Sequence, residues 1–95
     1  MLNHAFTVKG HMKVFQMDNP WFYVAVPSKY TEMFKNDMDR GLLAVTATLG
    51  DSERKTSLMP KGDGTHFIPL SAKIRKKESL NVGDIITLSF CLRER

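Results

Sequence analysis

The sequence predicts a mainly β domain: a small closed or nearly closed barrel of about six strands, with one capping helix and a second short helix or turn. Three observations carry that prediction. Apolar residues alternate with polar ones along several short runs, glycine and proline turns separate those runs, and only one segment shows a convincing helical stripe. The 95 residues form one domain, and 42% hydrophobic with 25% charged residues is an ordinary globular balance. That balance excludes disordered, collagen-like and low-complexity classes. A chain of this size buries about 60–70% of its unfolded surface, enough for one core without metal or disulfide staples.

Phe6, Val8, Gly10, Met12 and Val14 share one parity and Thr7, Lys9, His11 and Lys13 the other, so the first strand crosses this whole stretch with one buried face. Asp18-Asn19-Pro20 turns the chain into Trp21 to Val26, apolar on both parities and rich in aromatic and β-branched residues. It reads as an interior strand with Trp21, Phe22 and Tyr23 in the core. Pro27 ends it, and Tyr30, Met33, Phe34 and Met38 then fall on one helical stripe. Ser28 is the expected N-cap and Gly41 the left-handed stop, with Asn36-Asp37 an earlier alternative. Met33 and Met38 are expected to fill core between helix and barrel.

Leu43, Val45, Ala47 and Leu49 form the core face of the next strand, and Gly50-Asp51 suits a two-residue type II′ hairpin into Ser52 to Met59. That partner has no dominant apolar face, which places it at an exposed edge or on a contact surface. Pro60 to Gly64 is a turn cluster, and His66 to Leu70 a short strand whose pairing Pro69 limits. Ser71 caps a short helix or turn running toward Leu80. Asn81 to Asp84 turns the chain, with Gly83 for the turn and the Asp84 carboxylate accepting backbone N–H groups. The last strand puts Ile86, Leu88, Phe90 and Leu92 on its core face and Thr87, Ser89, Cys91 and Arg93 on the other.

A lone cysteine, Cys91, cannot form an internal disulfide, so a cytoplasmic location is expected. Met1-Leu2-Asn3-His4 leads directly into alternating residues, so no leader is expected. The longest apolar run, Trp21 to Val26, is far short of the roughly 20 residues of a membrane helix.

The formal net charge is +4, and it is uneven: residues 1–50 hold five Lys/Arg against four Asp/Glu, and residues 51–95 nine against six. Lys73, Arg75, Lys76 and Lys77 make a local basic patch, which Arg54, Lys55 and Lys61 extend if the polar strand lies nearby. The leading expectation is therefore a non-enzymatic binding module that presents this surface to an acidic partner or anionic small ligand. A DNA- or RNA-binding regulator using the same patch is the alternative, against a merely solvated basic turn. An enzyme using Cys91 with His66 or His11 as activating base is a third class. No cofactor and no metal site is expected, because His4, His11 and His66 lack ligand spacing and read as structural. Gly62-Asp63-Gly64 precedes a strand rather than opening a helix, so it is a turn and not a phosphate loop. Asp37 with Asp39, and Asp51 with Glu53, should be solvated and make poor acid–base pairs.

Several motifs in order carry a family resemblance: Trp21 to Pro27, Gly50 in a hairpin, Ser57-Leu58-Met59-Pro60, Gly62-Asp63-Gly64-Thr65-His66, Ile74-Arg75-Lys76 and Leu80-Asn81-Val82-Gly83-Asp84. Across roughly Phe6 to Arg93 the chain resembles the family catalogued as domain of unknown function 1905. The resemblance implies a double-split β-barrel, a pseudobarrel with helical caps shared with some swapped-hairpin transcription factors that bind DNA as dimers. In some relatives a similar domain sits beside one linked by name to bacteriocin protection; the 95 residues are expected to hold only the first. The resemblance itself implies no activity.

Overall fold

The computed structural model describes residues 5–93. Its elements are β1 (Phe6–His11), β2 (Lys13–Phe15), β3 (Trp21–Val26), α1 (Ser28–Met33), β4 (Leu43–Leu49), β5 (Ser52–Pro60), β6 (His66–Pro69), α2 (Ala72–Lys77) and β7 (Ile85–Leu92). A 3-10 turn, Lys35–Asp37, follows α1. The strands make one antiparallel sheet in the order β1-β7-β4-β5-β6-β3-β2, curled into a half-barrel and not closed.

Seven strands appear among the described residues instead of about six because the first strand breaks at Met12. The Met12 N–H donates to the Asp84 carbonyl at 2.8 Å and its own carbonyl accepts from the Gly83 N–H at 2.9 Å, which ties this residue to the turn entering β7. One residue later the chain pairs with β3 instead, Lys13 opposite Tyr23. One continuous segment thus supplies both ends of the sheet, so the half-barrel is completed by the chain and not by a ladder.

A second branching occurs in β5. It pairs with β4 from Leu58 opposite Leu43 to Ser52 opposite Leu49, but with β6 only at Met59 and Pro60 among the described residues. The expectation that this polar strand lies at an edge is therefore corrected: β5 is central, and only part of one flank is open. Extending the β5–β6 register would bring Pro69 opposite Ser57. Leu70 N–H donates to Phe22 O at 2.8 Å, so the backbone nitrogen one residue earlier points away from β3, toward β5. At that position a proline has no N–H to give, and the ladder stops.

The core lies inside the curl. Val8, Val24, Val45, Leu58, Ile68 and Phe90 are its most deeply buried side chains. Burying each Val, Leu, Ile or Phe contributes about 1.5–3 kcal/mol. Tyr30 and Phe34 bring α1 onto one end, where the Phe6 ring meets them at centroid distances of 5.7 and 5.0 Å and Phe90 at 5.5 Å. The Tyr30 hydroxyl donates to the Thr7 carbonyl at 2.9 Å.

Several boundaries differ from expectation. Ser28 is the first helical residue and not the cap; Pro27 holds the cap position with no side-chain hydrogen bond, its φ of −55° already suited to lead into a helix. Met33, the last residue of α1, is 54% exposed and does not fill the core, whereas Met38 packs on the core edge. Gly41, at φ +80°, shapes the Asp39–Leu42 turn into β4 and does not close α1. Leu92, expected on the core face, is 42% exposed; it lies past Phe90, the last residue of β7 that β1 pairs among the described residues, and its partner on β4 is Val45. Gly50 takes φ +58° while Asp51 does not cross to positive φ, as a type II′ hairpin requires. Among the described residues no helix is long and apolar enough to cross a membrane.

Candidate functional site

The open flank of β5 faces a groove of about 380 Å³. Its construction begins with parity. Ser52, Arg54, Thr56 and Leu58 lie opposite Leu49, Ala47, Val45 and Leu43, all core residues, so this polar set points inward. Arg54 and Thr56 therefore line one wall, at the place where Pro69 has stopped the ladder. The other wall is Trp21 and Phe22 from β3, then Pro69, Leu70 and the start of α2.

Two guanidinium groups flank this mainly apolar cleft. Arg75 lies over the Phe22 ring, 3.8 Å from its centroid, and its Nε–H donates to the Leu70 carbonyl at 3.2 Å. Arg54 Nη1 donates to Ser71 Oγ at 2.6 Å, and that oxygen also accepts the Ile74 N–H at 3.3 Å, capping α2 as the sequence predicts. Among the described residues one N–H of each guanidinium is engaged, and each fork has further donors that can meet a ligand. Trp21, expected in the core, is 44% exposed at the mouth, and Phe22 is only partly buried beneath Arg75. The correction follows from parity: Trp21 shares the outer parity of Tyr23 and meets the Phe67 ring edge-on at a centroid distance of 6.4 Å, at the open end of the strand.

The expected basic patch divides. Lys73 and Lys77 share with Arg54, Ser52, Glu53 and Ile74 a second, smaller groove of about 200 Å³. Lys76 is exposed on α2 and lines neither groove. Lys55 alternates with Arg54 along β5, opposite Thr46, and so looks outward. Lys61 is elsewhere, its ammonium 5.9 Å from the Phe15 ring centroid and 5.6 Å from that of Tyr23. Those rings, with Phe67, pack on the outer face of the sheet. Arg54, Arg75, Lys73 and Lys77 are thus brought together, and Lys55 and Lys61 are not. Sequence reasoning missed Trp21, Phe22, Thr56 and Ser71 as site residues; polar residues on the inward parity of β5 were the available signal.

The proposed thiol–imidazole pairs are not assembled. Cys91 Sγ contacts the Thr46 carbonyl at 3.9 Å on the outer face. His66 is buried, with Nε2 donating to Gly41 O at 2.8 Å and Nδ1 3.2 Å from Thr31 Oγ1. Because a carbonyl only accepts, Nε2 carries the proton. His11 Nδ1 bonds Gly83 O at 2.9 Å. Both are the hydrogen-bonded structural histidines the sequence predicts; His4 lies outside the described residues. Asp37, Asp39, Asp51 and Glu53 are all exposed. Asp84 Oδ2 accepts the Asn81 N–H at 2.8 Å, as expected for its turn. In Gly62–Gly64, Asp63 Oδ1 accepts from the Thr65 hydroxyl and from the Thr65 N–H, and these bonds hold its carboxyl below the ordinary carboxylate value. Among the described residues no group of three His, Cys, Asp or Glu side chains is placed to hold a metal ion.

The family model described as a domain of unknown function, DUF1905, matches residues 10–90. No curated protein is significantly similar to the chain in sequence.

Proposed function

We propose, for a chain that belongs to the DUF1905 family of domains of unknown function, that the groove beside β5 binds a small anionic ligand with a flat aromatic body. The observation that carries this reading is the Arg75 guanidinium stacked on Phe22 beside the exposed Trp21, with Arg54 across the cleft. Aromatic faces and proline rings accept a planar body, and two guanidinium forks with unused donors accept its charge. A cleft of about 380 Å³ is at the small-molecule end of ligand-site volumes. The role is binding, and the free Cys91 accords with a cytoplasmic setting.

Trp21 is the sole tryptophan, so its indole N–H resonance is an unambiguous reporter of the groove. Titration with 1-naphthoate should shift it, while neutral 1-naphthol should bind at least about tenfold more weakly, the loss expected for a charge-assisted bond. Arg75→Met should abolish that difference in part and Arg54→Met in part. Equal binding of the acid and the alcohol, or no shift of Trp21 with either, refutes the reading.

One observation favours a second reading. An exposed tryptophan among cations also fits a base of single-stranded nucleic acid. That affinity would fall with salt at a slope of about 0.7 per phosphate contact. No retention of an oligonucleotide at low salt removes it.

A further inference from the structure

We infer that the ligand of this groove carries a phosphate monoester, which lies beyond Arg54 between Lys73 and Lys77; the inference rests on the groove being a ligand site. Arg54 belongs to both cavities, with the aromatic groove on one side of it and the smaller groove of about 200 Å³ on the other. A molecule seated against Trp21 and Phe22 therefore meets Arg54 at one end, and the smaller groove with its two lysines lies on the far side of that side chain.

The charge on that side selects the group. Lys73 and Lys77 are one turn apart on the same face of α2, and with Arg54 they give three positive charges against the single carboxylate of Glu53. Glu78 stands just behind the lining and keeps its charge, its Oε2 accepting the Ser52 hydroxyl at 2.8 Å. The residues that line the groove carry a net of two positive charges. A phosphate monoester carries about −1.5 to −2 charges and three acceptor oxygens, whereas a carboxylate brings only one charge. Ser52 and Ile74 complete the smaller groove, whose volume of about 200 Å³ has room for a tetrahedral group.

The test compares 1-naphthyl phosphate with 1-naphthoate by calorimetry at one ionic strength, on the wild-type chain and on the Lys73→Ala/Lys77→Ala variant. Both lysines are exposed, so the variant folds as the parent does. The phosphate should bind the parent about tenfold more tightly than the carboxylate, a gain typical of two added charge-assisted bonds. The double variant should lose that advantage and keep its naphthoate affinity within about twofold, inside the spread of exposed-charge effects. Lys76→Ala, which removes the same charge outside both grooves, should preserve the advantage. A phosphate no better than the carboxylate, an advantage that survives loss of Lys73 and Lys77, or an equal loss in Lys76→Ala overturns the inference and leaves the groove reading standing. Binding of neither compound overturns both.

Discussion

Gly50→Ala tests how the site's two walls are held together. Gly50 sits at φ +58°, and a Cβ there would fall 2.1 Å from Oε1 of Glu78, the residue that ends α2. Left-handed backbone costs an alanine about 1–2 kcal/mol. The overlap adds a separate cost. A glutamate carboxylate can swing aside at little expense, but here it is the acceptor for Ser52, a buried hydroxyl at the start of β5. Losing that bond costs about 1–2 kcal/mol. The sum is about 2–4 kcal/mol, which for a chain of this length lowers Tm by roughly 10–25 °C. Thermal melts followed by circular dichroism read it. The decisive comparison repeats the substitution in a Glu78→Ala background, where no carboxylate remains to be displaced. There Gly50→Ala should cost only the backbone part, about 1–2 kcal/mol. An equal cost in both backgrounds refutes the steric half of the reasoning, and a shift below about 4 °C in the parent refutes the whole.

Two further outcomes follow from the hydrogen bonds away from the groove. His66→Leu should lower stability by about 1–3 kcal/mol in urea unfolding, because the Gly41 carbonyl and Thr31 hydroxyl both lose their partner, and His66→Gln should recover part of it. Asp63 is held below its ordinary value of 3.8 by its bonds from Thr65. A depressed carboxylate stabilises the fold above its unfolded pKa, and that contribution disappears as pH falls through the folded one. Asp63→Asn should therefore be less stable than the parent near neutral pH and equal to it in strong acid; an Asp63 carboxyl resonance titrating at 3.8 or above removes the explanation.

The fold was largely legible because most strands carry their burial in their parity. Leu43, Val45, Ala47 and Leu49 are buried in strict alternation, and so are Ile86, Leu88 and Phe90. The break at Met12 was not legible, since Met12 keeps the parity of the strand before it and is itself buried. Only the change of partner, from β7 to β3, makes two strands of that run, and partner identity is a property of the curled sheet and not of the local pattern. Leu92 shows the same limit from the other side: its parity is that of the core face, but among the described residues the β1 ladder reaches only Phe90, and Leu92 is exposed.

The site was half legible for a related reason. A basic patch can be counted in a sequence, but parity reasoning assumes that an inward-facing position meets another layer. On β5 the inward set is Ser52, Arg54, Thr56 and Leu58, and read alone this looks like a strand with no inside. Burying Arg54 against a complete sheet would cost several kcal/mol, so a sequence that keeps an arginine there needs an opening in front of it. Pro69 provides that opening by withholding the one N–H that would extend the β5–β6 ladder past Phe67. The two residues lie far apart in the chain, and neither is informative alone. Taken together, a cation at an inward position and a proline at the facing rung specify a gap in the sheet, and the gap exposes Trp21 and Phe22 as its opposite wall. Replacing Pro69 with valine restores the donor, so it should lengthen the β5–β6 pairing and narrow the cleft. Slow amide exchange of the new valine N–H at position 69 together with weakened naphthoate binding is the expected pair of results; rapid exchange with unchanged binding would mean that the split is held open by something other than the missing hydrogen bond.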